Sequence, residues 1–183
     1  MKPKWLWTCF KTTTMKISAS DEYGLRILLQ IAKAHPAEGL NLSQISELED
    51  ISQAYAAKLT RSLRLAGFIQ SIRGQRGGYV LAMSTQEIKI NLVLRAMGGA
   101  IYDEKFCGNH AGTLSLCTNS VDCSLRSLWS ILQWNMDKLL DQISLNDLMK
   151  SEMQVNSNLS QLSEKIMGSG TQKAIPIPGD NFQ

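Results

Sequence analysis

Three of the chain's four cysteines lie within one short stretch of sequence. Cys107, Cys117 and Cys123 are separated by nine and then five residues, and glycine, asparagine and serine among these allow the backbone to bend. Three thiolates at one centre supply three of the four ligands that an iron-sulfur cluster requires. The stretch therefore indicates an iron-sulfur site, with two metal-free alternatives: a reversible thiol-disulfide switch or an inert loop.

A histidine in the same stretch adds a further metal chemistry. His110 follows Cys107 by three positions. This Cys-x-x-His spacing can complete a zinc site of three cysteines and one histidine, or supply one imidazole ligand to a cluster. The residues alone leave iron-sulfur, zinc, thiol chemistry and an inert loop open.

A second set of functional residues lies between residues 51 and 83, a run with five cations and no acidic residue. Duplex DNA is a polyanion whose major groove admits one helix, so small and polar side chains near a helix start can face its bases. Arginines beside glycines can reach phosphates or the minor groove. A solvated helix face followed by a plain turn is the alternative. The predicted DNA-contacting residues are Ser52, Gln53, Ala54, Ala57, Lys58, Arg61, Arg73, Gln75 and Arg76.

The helices that must position these residues are indicated by apolar spacing and capping residues. Apolar residues recur at helical intervals over residues 20–35. Asn41 or Ser43 can cap a short second helix, and Ser52 can cap a third that ends at Gly67. Two short helices joined by a tight turn predict a helix-turn-helix. The core-facing residues of the third helix are expected to be Tyr55, Leu59, Leu63 and Leu65.

Strand-like segments at residues 68–72 and 79–81 flank several glycines, which predicts a β-hairpin, the wing. Asn91 is expected to cap a short helix that precedes the cysteine loop. Apolar residues at intervals of three and four from residue 124 to about 143 predict a helix of about 20 residues, which needs a partner. The predicted fold class is mainly α with a small β-hairpin: a winged helix-turn-helix domain plus a long dimerisation helix.

Five segments follow from this assignment. They are an N-terminal extension (1–14), a winged helix-turn-helix DNA-binding domain (15–83), a linker helix with the cysteine sensor loop (84–123), a dimerisation helix (124–150) and a flexible C-terminal tail (151–183).

Composition narrows the classes of function. The chain has 183 residues, 44% of them hydrophobic and 19% charged, with a net charge of +3. No apolar run approaches the roughly 18 residues of a membrane span, so no membrane partner and a cytoplasmic location are expected. The two histidines come with no nucleophile, paired-carboxylate or phosphate-loop motif, which argues against an enzyme.

The segments SDEYGLRILLQIA and ISQAYAAKLTRSLRLAGFIQSIRGQRGGYVLA, followed by the three-cysteine loop, resemble the IscR/NsrR-type (Rrf-two) transcriptional regulators. The resemblance covers about residues 15–150 and is most specific in RGQRGGYVLA. It implies a homodimeric winged helix whose long helix crosses the two-fold axis, binding an inverted-repeat operator in double-stranded DNA. Many members hold an iron-sulfur cluster, here expected to be of the 2Fe-2S type.

The resemblance also implies a fourth cluster ligand. Similar regulators use a histidine soon after the third cysteine or an acidic residue near the start of the first helix. Arg126 stands at the histidine position, so the implied metal ligands are Cys107, Cys117, Cys123 and Glu22, with Asp21 and His110 as alternatives. The gap between Cys107 and Cys117 is longer than in cluster-binding members.

The expected function is a sequence-specific transcription regulator, acting as a repressor, that senses redox state, nitric oxide or iron-sulfur status through the three-cysteine loop. The alternatives are a regulator based on thiol redox or on zinc, and an adaptor that uses its winged helix without DNA.

Overall fold

A computed structural model describes residues 17–36, 38–72, 77–98, 106–109 and 121–168, with single residues at 100, 102, 117 and 119. The elements in chain order are α1 (Ala19–Lys33), α2 (Leu42–Glu49), α3 (Gln53–Leu65), β1 (Ile69–Ile72), β2 (Gly78–Leu81), α4 (Ile90–Met97), α5 (Phe106–Asn109), α6 (Ser124–Leu140), α7 (Leu145–Leu148) and α8 (Glu152–Gly168). This order agrees with the predicted fold class, a mainly α winged helix with a small β-hairpin.

Short polar side chains begin the first three helices. Ser18 caps α1 in a reciprocal pair of hydrogen bonds with Asp21. The Asn41 side chain accepts from the Gln44 backbone N–H at 2.9 Å, and Ser52 accepts from that of Tyr55 at 3.2 Å. Such caps satisfy backbone donors that have no partner inside the helix. The predicted caps Asn41 and Ser52 are therefore confirmed.

The apolar core lies between α1, α2, α3 and the hairpin, and it extends beyond residue 83, where the sequence placed the end of the domain. Ile88, Val93 and Leu145 are fully buried in the same cluster as Leu59 and Leu63 of α3. Backbone hydrogen bonds explain this extension, because the chain around the start of α7 pairs with the chain around the start of α4. The Leu145 N–H donates to the Ile88 carbonyl at 2.8 Å, and the Ile90 N–H donates to the Ile143 carbonyl at 3.0 Å.

One predicted core residue of α3 lies outside the core. Leu59 and Leu63 are buried and Tyr55 is half-buried, but Leu65 is 72% exposed. Two residues correspond to about 200° of rotation around an α-helix, so Leu65 points away from the face that carries Leu63. The expectation that Leu65 faces the core was wrong.

The hairpin is antiparallel, with Ile69 opposite Leu81 and Ile72 opposite Gly78. It is also joined to the segment before α2, because the backbones of Leu40 and Tyr79 exchange hydrogen bonds of 3.0 and 2.8 Å. A Cβ atom at Gly78 would lie 2.7 Å from the Leu40 carbonyl oxygen, so this close approach requires glycine. The wing is thereby fixed to the helix-turn-helix.

The region after the hairpin differs from the expectations in three places. Asn91 lies inside α4, and its side chain donates to Asp141 at 2.7 Å instead of capping the helix. A helical turn, α5, occurs within the predicted irregular cysteine loop. Residues 152–168, expected to begin a flexible tail, form α8, which packs against α6. Its half-buried Val155, Leu159 and Leu162 recur at helical intervals within an otherwise polar sequence.

Among the helices of the described part of the chain, none has both the length and the apolar character that a membrane span requires.

Candidate functional site

The exposed side of α3 carries most of the predicted DNA-contacting residues. Ser52, Gln53, Ala54, Lys58 and Arg61 are exposed, and Ala57 is half-buried. Gln53, Ala57 and Arg61 follow one another at four-residue intervals, so they lie on one side of the helix. The opposite side is buried through Ala56, Leu59, Thr60 and Leu63. The predicted wing residues Arg73, Gln75 and Arg76 lie outside the described residues.

The start of α3 is tied to the start of α2. The Gln53 side-chain amide donates to the Ser43 hydroxyl at 3.1 Å, and both side chains are exposed. The sequence predicts Ser43 only as an alternative cap of α2. Its hydroxyl instead lies beside the exposed face of α3.

A buried carboxylate connects the end of α2 to α1. Glu49 is only 3% exposed, forms an ion pair with Arg26 and accepts a hydrogen bond of 2.8 Å from the Gln30 side chain. The Arg26 guanidinium lies 5.1 Å from the centre of the Tyr23 ring, and that ring meets Tyr55 of α3 edge-on at 6.0 Å. Buried charges persist when they are paired in this way. This network, which no sequence pattern indicated, holds α1, α2 and α3 together.

The three predicted sensor cysteines occupy different parts of their region. Cys107 lies on α5, Cys123 directly precedes α6, and Cys117 lies between them; each is half-buried and free. Among the described residues, no three histidine, cysteine, aspartate or glutamate side chains gather to hold a metal ion. His110 lies outside the described residues.

The acidic residues implied as the fourth ligand lie in the first turn of α1. Asp21 is buried, and its Oδ2 accepts from the Ser18 backbone N–H at 3.0 Å and from the Ser18 hydroxyl at 2.6 Å. Glu22 is exposed on the first turn of α1. Asp21 therefore serves the helix cap. Among the described residues of one chain, the donors do not come together as a cluster or zinc centre requires.

A tyrosine that the sequence did not single out contacts the first cysteine. The Tyr102 hydroxyl lies 3.8 Å from Cys107 Sγ, and its ring packs against Phe106 with ring centres 5.4 Å apart. Burial, together with the neighbouring Cys107 thiol, raises the pKa of Tyr102. The Tyr102 backbone N–H donates to the Gln133 side chain of α6 at 3.1 Å.

The side of α6 that faces the rest of the chain is polar. Ser130 and Gln133 are its buried residues. The Gln133 amide donates to Asp137 Oδ1 at 2.8 Å, and Arg95 of α4 donates to Asp137 Oδ2 at 2.5 Å. The cysteine region and α4 are thereby both bonded to this side of α6.

The opposite side of α6 exposes large apolar side chains. Leu125, Leu128 and Leu132 are 58%, 46% and 39% exposed, at intervals of three and four residues. We call these three residues the α6 stripe. A contiguous exposed apolar surface of this kind marks an interaction site more often than a free surface.

Comparison with known proteins identifies relatives of the whole arrangement from α1 to α7. The model of the Rrf2 family, described as an iron-dependent transcriptional regulator, matches residues 17–151. The regulator IscR of Aliivibrio salmonicida is 32% identical over 152 residues, which cover 82% of this chain and 84% of that protein. The regulator CymR of Bacillus subtilis is 31% identical over 134 residues, which cover 73% and 89%.

Solved structures agree with these matches. CymR of B. subtilis, named as its global cysteine regulator, superposes with a TM-score of 0.57 at 29% identity, covering 74% of this chain and 96% of that one. IscR of T. potens superposes with a TM-score of 0.56 at 25% identity, covering 87% and 95%. The relatives named here are therefore transcriptional regulators of one fold that carry different names.

Proposed function

The chain belongs to the Rrf2 family of DNA-binding transcriptional regulators, and we propose that it binds double-stranded DNA by inserting the exposed face of α3 into the major groove. The observation that carries this proposal is the division of α3 into a buried apolar side and an exposed side without acidic residues. Ser52, Gln53 and Ala54 are small or polar at the helix start, where a recognition helix meets base edges. Lys58 and Arg61 then contact phosphates.

The wing makes the second contact in this proposal. β1 and β2 are held against the segment before α2, so a displacement of the wing relative to α3 is restrained. Arg73, Gln75 and Arg76 connect these strands in the sequence and reach phosphates or the minor groove.

A second copy of the chain completes the regulator. The α6 stripe is apolar and exposed in one chain, and a two-fold partner that presents the same stripe buries both surfaces. Two recognition helices held about 34 Å apart bind an inverted-repeat operator. We place this homodimer in the cytoplasm as a repressor.

The cysteine loop is the proposed sensor. Cys107, Cys117 and Cys123 lie between α4 and α6 in the sequence, and so between the DNA-binding helices and the proposed dimer helix. The favoured chemistry is that of the thiols themselves, because each of the three cysteines is free and half-buried. An iron-sulfur cluster, with Glu22 or Asp21 as fourth ligand, and a zinc site with His110 remain the two competing proposals.

The DNA-binding proposal is tested by selecting an operator from random duplexes about 30 base pairs long, enough for two half-sites one turn apart. Lys58→Ala and Arg61→Ala are expected to weaken binding to all sequences and to lower the salt slope by about 1 each. Gln53→Ala is expected to cost about 1–3 kcal/mol and relax one base preference. The matched control is Lys33→Ala, an exposed cation at the end of α1.

Arg76→Ala separates a DNA regulator from a protein adaptor. Loss of a phosphate or base contact there is expected to cost about 1–3 kcal/mol of operator binding. Wild-type affinity in this variant and in those of α3 would favour the adaptor.

The sensor proposal is tested by the visible spectrum and by iron, sulfide and zinc analysis of protein purified without oxygen. Colourless, metal-free protein whose operator affinity responds to a thiol reagent supports thiol sensing; iron with sulfide, or zinc, supports the corresponding competitor. Cys9→Ser, which changes the fourth cysteine, is the control. The sensor role fails if replacing Cys107, Cys117 and Cys123 together by serine leaves the response unchanged.

A further inference from the structure

The polar side of α6 is unusual because its buried residues are not those of an apolar core. Gln133 is 9% exposed, and a buried amide requires hydrogen-bond partners. Its carbonyl oxygen accepts from the Tyr102 backbone at 3.1 Å, while its NH₂ group donates to Asp137 at 2.8 Å. One side chain thus holds the cysteine region at one end and a carboxylate of α6 at the other.

The carboxylate continues this connection to α4. Asp137 accepts from Arg95 at 2.5 Å, and Asp141, directly after the end of α6, accepts from Asn91 at 2.7 Å. Both donors lie on α4. The position of α4 along α6 is therefore set by two side-chain hydrogen bonds, one of which shares its acceptor residue with Gln133.

Tight packing transmits the position of α4 to the DNA-binding helices. Val93 of α4 is fully buried with Leu59 and Leu63 of α3. A Cβ atom built on Gly24 of α1 would lie 3.0 Å from the Met97 side chain, so α1 and α4 are in close contact. Close-packed interiors transmit displacement because they contain little empty volume.

We propose that Tyr102, Gln133 and Asp137 form a positioning relay through which a group bound to Cys107 changes the placement of α3. The proposal rests on the proposed sensor role of the cysteine loop. A group attached to Cys107 Sγ occupies the space of the Tyr102 hydroxyl, 3.8 Å away. Movement of Tyr102 withdraws its N–H from Gln133, which then releases Asp137 and alters the Arg95 contact on α4.

The test uses the full chain with Cys107 as its sole cysteine, made by Cys9→Ser, Cys117→Ser and Cys123→Ser. N-ethylmaleimide alkylates Cys107: the thiol S–H bond breaks, sulfur bonds to one alkene carbon, and the proton ends on the neighbouring carbon. Alkylation is expected to change the operator Kd by about 5- to 150-fold, the usual range of coupling between sites.

Three variants in this background test the relay. Gln133→Leu removes the Gln133 hydrogen bonds to Tyr102 and Asp137. The ratio of the operator Kd of alkylated protein to that of unmodified protein is expected to fall to within about 2-fold of unity. Tyr102→Phe keeps the ring and backbone N–H but lacks the hydroxyl, so its response is expected to be smaller. Asn135→Leu changes an exposed amide of the same helix and is expected to keep the full ratio. The Kd of unmodified protein is expected to stay near the parental value in Asn135→Leu, whereas in Gln133→Leu it moves towards that of the alkylated parent, because the connection is already broken.

If the contacts of the relay act one after another, the effects of breaking two of them do not add. Arg95→Ala in the Gln133→Leu background is expected to cause no further loss of response, because the connection is already broken. The relay is overturned if Gln133→Leu and Tyr102→Phe both keep the parental ratio, or if the sole-cysteine chain does not respond while the wild-type chain does. Failure of the wild-type chain to respond to thiol reagents instead contradicts the sensor role itself.

Discussion

The winged-helix region, residues 17–98 with α7, and the α6 helix distribute apolar and polar side chains in opposite ways. In the winged-helix region, Leu28, Ile45 and Leu63 are fully buried while Lys58 and Arg61 are exposed. In α6 the buried residues are Ser130 and Gln133, and the leucines of the α6 stripe are exposed. The winged-helix region therefore has the side-chain distribution of a complete folded domain, whereas α6 has that of a helix that binds another surface.

The difference indicates where each region finds its stability. A winged helix with an apolar core and charged exterior can fold within one chain. Burying the exposed leucines of a helix against another surface is favourable by a free energy of roughly 25 cal/mol for each Å² of apolar surface removed from water. Variants of the winged-helix core are therefore expected to change the free energy of unfolding, whereas variants of the α6 stripe are expected to change the affinity between two chains.

The largest expected effect lies in the core of the winged-helix region. Leu63→Ala is expected to lower the free energy of unfolding by about 2–5 kcal/mol, because it leaves a cavity in a packed interior. Leu65→Ala, on the same helix and 72% exposed, is expected to change it by less than about 0.5 kcal/mol. Urea unfolding measures both, and equal losses would contradict the assigned orientation of α3.

The next largest effect concerns the buried carboxylate beside the helix-turn-helix. Arg26→Ala leaves Glu49 buried without its cationic partner and is expected to lower the free energy of unfolding by about 1–3 kcal/mol. Arg64→Ala, which removes an exposed cation from α3, is the control and is expected to have little effect. Indistinguishable unfolding midpoints would show that the ion pair does not support this region.

The α6 stripe provides the corresponding test of assembly. Leu128→Glu places a charge in the proposed dimer contact and is expected to raise the dimer Kd at least about tenfold, or about 1.4 kcal/mol. Sedimentation velocity measures the change, and circular dichroism checks that the helices persist. Leu48→Glu, at an exposed leucine of α2, is the control. A dimer of unchanged strength in the Leu128 variant would place the contact elsewhere.

The smallest effect concerns the cap of α7, where the two regions join. Hydrogen bonds from Ser144 hold the pKa of Asp147 at about 2, below its ordinary 3.8, despite some burial. Because the folded pKa is the lower one, the stabilisation is fully present above about pH 4 and is lost as pH falls towards 2. Asp147→Asn is expected to flatten the dependence of Tm on pH in this window, unlike Asp122→Asn at an exposed position.

Local signals in the sequence predicted the winged-helix region well. The caps at Asn41 and Ser52, the apolar spacing of α1 and the glycines of the hairpin each act over a few residues, so they can be recognised without the fold. The exposed face of α3 follows from the same spacing. Leu65 was misplaced because its apolar character was given more weight than its angle around the helix.

Long-range partners could not be predicted in the same way. Glu49 meets Arg26 across 23 positions and Gln133 meets Tyr102 across 31, and no periodic pattern indicates such pairs. Periodicity located the apolar stripe of α6 but could not show that its polar side faces the rest of the chain. α8 was missed because its few apolar residues lie in a largely polar sequence.

Hydroxyl-radical footprinting of the selected operator shows whether two α3 helices, held by paired α6 helices, bind DNA together. We expect two protected patches related by two-fold symmetry, with their centres about 10 base pairs or a multiple of this apart, and both weakened by Lys58→Ala. A single protected patch, or protection that is unchanged by Lys58→Ala and Arg61→Ala together, would contradict it.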